Sequence, residues 1–106
     1  MAAIILKYTL NPGVSRSDFE AWVKDHDHPA MRGLASVRRF ETYRVTGLLM
    51  GEGTPSCDYV EIFEMNDLAA FTGTDMAGDT VQAIMGQFMG FAAAPEFLLA
   101  EAVDPS

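Results

Sequence analysis

The segment Phe19 to Leu34, FEAWVKDHDHPAMRGL, holds both histidines of the chain, His26 and His28, among Asp25, Asp27 and Arg32. Imidazole ordinarily titrates close to neutrality, so either histidine can take up and return a proton. The helix end on which they fall and the neighbouring carboxylates both favour the imidazolium, whereas burial opposes it. A histidine ending an apolar helix stripe also serves as a hydrogen-bonded rim residue, and the residues alone leave both roles open. Two histidines flanking an aspartate lack a third ligand at a recognisable spacing, so no metal site is expected. Cys57 is the only cysteine, which rules out an internal disulfide or a CxxC pair; it reads as a small residue at a strand start. Gly47, Gly51 and Gly53 lack the spacing and the adjoining helix that cradle a phosphate. No cofactor is expected.

A second set of residues is apolar. Met85, Phe88, Met89 and Phe91, joined by Trp22 from an earlier segment, can form a soft aromatic wall for a flat ligand, and equally an ordinary core. Gly86 and Gly90 are each unfavourable in a helix interior and are expected to leave space beside the Phe/Met pair. Arg32 and Arg44 offer positive charge, and Tyr43 and Tyr59 offer hydroxyl groups.

These residues must be positioned by a small set of elements. Ala3 to Leu10 alternates as a strand, with Ile4, Leu6, Tyr8 and Leu10 on one face. Asn11-Pro12-Gly13 is a turn, and Ser17 with Glu20 three positions on fits a capping box. The helix opened there places Phe19, Trp22, Val23 and His26 at i, i+3, i+4 and i+7, so His26 is expected to face inward. His28-Pro29 is expected to end it near His26, since a residue before proline is pushed out of the α region. Val37 to Thr46 alternates again, with Phe40, Thr42, Arg44 and Thr46 opposite Val37, Arg39, Tyr43 and Val45. A glycine-punctuated connection leads to an antiparallel strand from Asp58 to Met65. A short helical turn over Leu68 to Thr72, a helix from Met76 to Gly90 and a last strand from Phe97 to Val103 complete the chain. Strand, helix, two strands, helix, strand is the split βαβ order of α+β, ferredoxin-like βαββαβ folds, with both helices on one sheet face.

The 106 residues fit one domain, read here as spanning 1–106. With 49% apolar residues the chain can offset the entropy of folding. A net charge of −8 argues against nucleic acid and anionic membrane surfaces as partners, since both need Lys/Arg stripes. The first apolar run, Met1 to Leu6, is too short for a signal segment or a membrane span, and a cytoplasmic location is expected. Apolar surface left over in so small a domain favours a homodimer.

Four strings carry a resemblance: MRGLASVRRFETYRVTGLLMGEG (31–53), DYVEIFEM (58–65), VQAIMGQFMGF (81–91) and PEFLLAEAV (95–103). In this order they resemble the RedY-like HapK family, small proteins encoded among prodigiosin-type pathways. The resemblance implies a homodimeric α+β barrel and a link to making tripyrrole or related aromatic alkaloids. A looser resemblance is to EthD-like and cofactor-free monooxygenase branches of the same barrel superfamily. There an aromatic-rich first helix leads to a histidine before a proline, an outline that Phe19, Trp22, His28 and Pro29 match.

The leading expectation is a homodimer binding a planar pyrrole- or indole-like intermediate and assisting its condensation, dehydration or cyclisation. His26, favoured slightly by helix geometry, or His28 would be the acid/base. Arg44 and Arg32 would neutralise carboxylate or developing charge, and Tyr43 or Tyr59 would hydrogen-bond the substrate. Trp22, Met85, Phe88 and Phe91 would wall the pocket. The rival expectations are a cofactor-independent monooxygenase and a non-catalytic carrier of a labile intermediate.

Overall fold

A computed structural model describes residues 1–104 of the protein. Four strands, β1 (Ala2–Leu10), β2 (Val37–Arg44), β3 (Tyr59–Met65) and β4 (Ala92–Glu101), form one antiparallel sheet in the order β2-β3-β1-β4. Helices α1 (Arg16–Trp22), α2 (His28–Arg32), α3 (Leu68–Gly73) and α4 (Asp79–Phe91) connect them, giving the expected ferredoxin-like α+β architecture. Strand alternation decides what faces the helices. In β3 the odd-numbered residues Tyr59, Glu61, Phe63 and Met65 are all buried, and the even ones only partly so. The register sets Leu6 beside Glu61, Tyr8 beside Tyr59 and Phe40 beside Phe63, so these side chains share one face. Against them pack Phe19, Trp22, Val23, Met31, Val81 and Phe88 from the helices.

Several boundaries differ from expectation for identifiable reasons. Ser15, not Ser17, caps α1: its Oγ accepts from the Asp18 amide at 3.1 Å. Glu20 is thereby free to reach β2 and β3. The helix does not end at His26. A π-helical turn over Val23–Asp27 carries it into α2, and the His28 amide donates to the Val23 carbonyl five residues back. The wider turn accommodates Pro29, which lacks the amide an α-helix needs there. Val37 is buried on the helix face, opposite to expectation, because a register shift between Val37 and Arg39 flips the strand. β4 begins directly at Ala92 rather than at Phe97. Pro95 is tolerated because β4 is an edge strand. Ala94 there takes a left-handed φ of 47°, next to the shift in the β1–β4 register.

The opposite sheet face carries no helix. Its alternation brings Ile62, Ile5 and Leu98 side by side across β3, β1 and β4. No helix of the described residues is long and apolar enough to cross a membrane.

Candidate functional site

Between sheet and helices lies a cavity of about 370 Å³. The sheet supplies Leu6, Glu61 and Phe63, and the helical layer supplies Asp27, Met31, Met85 and Phe88. Met89, Phe97 and Leu99 line it while remaining substantially exposed, with Leu99 at 73%, so they mark its open side. Its size and apolar walls suit a bicyclic or tricyclic ligand.

Two carboxyl groups interrupt this apolar lining. Asp27 is 3% exposed and Glu61 2%. Burial pushes Asp27 up to about 7, with the Arg32 charge pulling the other way. Burial also pushes Glu61 up to about 8, with the Asp27 charge adding to the rise and the hydrogen bond from Tyr8 opposing it. The Asp27 charge thus bears on Glu61, and burial holds both acids above the usual carboxylate range. Tyr8 donates its hydroxyl proton to Glu61 Oε2. Burial, followed by the charge of Glu61, drives its own ionisation far above the usual phenol range, so it stays a neutral donor. The Tyr8 ring is fixed by the edge of Phe88, with centroids 4.8 Å apart at 90°, and by Tyr59, stacked at 5.8 Å.

The π-turn explains Asp27. In an unbroken α-helix from Phe19 the i+7 position, His26, continues the inward stripe. The extra residue accommodated by the turn hands that place to Asp27, and Met31 four residues on is buried as well. His26 is correspondingly exposed and lines no cavity, a correction to the inward orientation expected for it.

The other anticipated residues divide. His28, Arg44 and Tyr59 come together in a separate recess of about 170 Å³ with Glu20, Lys24 and Thr42. There His28 Nε2 lies 2.9 Å from Thr42 Oγ1, and burial lowers its pKa. Arg44 Nε donates to Glu20 Oε2 at 2.7 Å, and the Tyr59 hydroxyl donates to the same oxygen at 2.7 Å. Arg44 holds Glu20 down to about 2, and burial pushes Tyr59 up to about 12. Arg32 clamps the Phe40 carbonyl through Nε at 3.0 Å and Nη2 at 2.8 Å, and pairs with Glu41 at 3.2 Å. Tyr43 stands on the helix-free sheet face, 51% exposed, and cannot meet the others. Of the expected wall, Met85 and Phe88 line the larger cavity. Trp22 and Phe91 do not: they pack on one another at 5.2 Å, and the Trp22 indole donates to Gln87 Oε1 at 2.6 Å. Gly86 and Gly90 face open space, with nothing within 4 Å of an added Cβ, so they make no room in the cavity.

Tyr8, Asp27 and Glu61 escape sequence reasoning. Glu61 leaves a trace, as the acid in a strand whose same-face neighbours are Tyr59, Phe63 and Met65. Asp27 leaves none without knowledge of the π-turn.

The fold and this cavity define a small ferredoxin-like α+β protein with two buried acids under its helices. Within that class the chain belongs to the RedY-like HapK family: residues 2–103 match the family described as REDY-like protein HapK. The crystal structure of HapK from Hahella chejuensis is 30% identical over 100% of this chain and 96% of that one, with a TM-score of 0.80. Two more distant structures share the fold. SnoaB from Streptomyces nogalater, described as a cofactor-independent oxygenase, is 16% identical over 98% of this chain and 94% of its own, with a TM-score of 0.74. A dimeric ferredoxin-like protein of unknown function from Thermobifida fusca is 11% identical over 95% and 90%, also with a TM-score of 0.74. No curated protein matches the chain significantly.

Proposed function

We propose that this protein binds a planar pyrrole- or indole-like intermediate in the 370 Å³ cavity and moves protons on it during condensation, dehydration or cyclisation. The observation that carries this reading is the Asp27–Glu61 pair, two acids buried in an otherwise apolar chamber and raised toward neutrality. Such groups can both accept and donate protons at neutral pH. In a dehydration, Asp27 as carboxylate takes a proton from carbon. Glu61 as acid gives one to the departing hydroxyl, which leaves as water. The pair ends with its protonation exchanged and resets through solvent. Tyr8 orients Glu61 throughout. Membership of the HapK family supports a place in the making of prodigiosin-type or related alkaloids.

We further propose a homodimer closed through the helix-free sheet face, where Ile5, Ile62 and Leu98 form an apolar strip. The dimeric relative from Thermobifida fusca supports it. A stable monomer in sedimentation at micromolar concentration would remove this part of the reading.

The catalytic test is steady-state turnover of a pathway intermediate by Asp27→Asn and Glu61→Gln. Each should lose roughly 10²–10⁴-fold in turnover at saturating intermediate. Full activity in both variants would leave a binding module. The SnoaB-like fold supports a second reading, in which the same pair deprotonates a substrate whose carbanion reduces oxygen. Oxygen uptake matching turnover would favour it.

A further inference from the structure

Taking the larger cavity as the binding site, as above, we propose that it selects flat aromatic ligands bearing a basic nitrogen, held as cations, and rejects ligands bearing a carboxylate. The ionisable side chains lining it are Asp27 and Glu61, both acids, with no Lys, Arg or His among its described lining residues. The nearby cations are engaged elsewhere. Arg32 is turned onto the Phe40 carbonyl and Glu41, and Arg44 is paired with Glu20. Around the acids, β1 contributes Tyr8, β3 contributes Glu61, the π-turn contributes Asp27 and α2 contributes the Arg32 charge; the lining residues of α3, α4 and β4 are all apolar.

Geometry leaves acceptors open to a ligand. Glu61 Oε2 is already taken by Tyr8. Asp27, only 3% exposed, has no hydrogen-bonding partner among the described residues and lines the cavity. A buried acid without a donor is unfavourable as carboxylate, and a ligand N–H⁺ supplies both the donor and the countercharge. A ligand carboxylate would instead be buried beside two acids with no cation to meet it. The proton balance closes for either form of the base. A base that enters neutral takes the proton held by the carboxyl pair, and one that enters already protonated displaces that proton to solvent; either way a nitrogen cation ends beside a carboxylate.

The test is calorimetric titration of the intact protein at neutral pH with three bicyclic probes of similar shape. These are an aminoquinoline that is protonated at that pH, the neutral naphthylamine and the anionic naphthoate. The aminoquinoline should bind roughly tenfold or more tightly than naphthylamine, the worth of one charge-assisted hydrogen bond, and naphthoate should bind weakest. In the D27N/E61Q double variant that preference should vanish while naphthylamine affinity stays. If the double variant fails to fold, each single variant should shrink the preference. Equal binding of aminoquinoline and naphthylamine, or tightest binding of naphthoate, would overturn the cation reading and leave the cavity as a ligand site. Binding by none of the three would overturn both.

Discussion

The Tyr8 hydroxyl crosses from β1 to β3 to donate to Glu61, diagonal to it in the strand pairing that sets Leu6 opposite Glu61. This bond partly offsets the burial that raises the Glu61 pKa. Tyr8→Phe should therefore raise the Glu61 pKa further, read by NMR titration of its side-chain carboxyl carbon. The fold should persist with a loss of about 1–3 kcal/mol from the stranded acceptor. An unchanged Glu61 titration would mean that the phenol does not hold the acid.

Stability should fall as pH rises across neutrality. Asp27 and Glu61 keep their protons in the folded chain up to about 7 and 8, whereas the unfolded chain releases them near pH 4. Between these limits the folded state binds more protons, and stability declines by about 1.4 kcal/mol per pH unit for each proton so retained. Glu20 acts in the opposite sense, its lowered pKa favouring the fold above about pH 4. His28, its pKa lowered by burial, likewise favours the fold as pH rises toward about 6.5, so thermal melts should decline most steeply between about pH 6.5 and 8. D27N/E61Q should flatten the decline, and a slope unaltered in that variant would contradict the placement of the acids.

The two histidines should behave differently. His26 is exposed and makes no contact with either recess, so His26→Asn should change stability by no more than about 0.5 kcal/mol and leave turnover intact. His28 packs its ring on the edge of Phe40 at 4.9 Å and meets Thr42. His28→Ala should lower the melting temperature measurably, and a larger effect from His26→Asn would reverse this assignment.

Gly86 and Gly90 sit in α4 with open space where a Cβ would go. Gly86→Ala should stabilise the protein by about 0.5–1 kcal/mol in chemical denaturation and leave ligand affinity unchanged. Loss of ligand affinity would show that the glycine shapes the cavity after all.

The fold is legible in the sequence because strand alternation and helix periodicity survive in nearly every element. Phe40, Thr42 and Arg44 do share the helix face of β2, as their spacing implies. Met85 and Phe88 do turn into the cavity from α4. The two buried acids are not legible, because imidazole is the group whose ordinary titration is near neutral, whereas burial alone can bring a carboxyl to the same range. Glu61 lies in a strand rich in acids, where only the phase of the alternation separates it from the partly exposed Glu64. His26 faces inward only in a straight helix, and the segment before Pro29 winds through a wider turn instead.

The wide turn at Val23–Asp27 makes the chemistry of the chamber a matter of backbone counting. Deleting one residue between Val23 and Asp27 would restore regular winding and make Asp27 the seventh residue after Phe19, the inward place, so the pair of acids would survive loss of the wide turn. At the present length, regular winding would turn His26 into the chamber instead, so the local winding decides whether Glu61 shares its cavity with a carboxyl or with an imidazole.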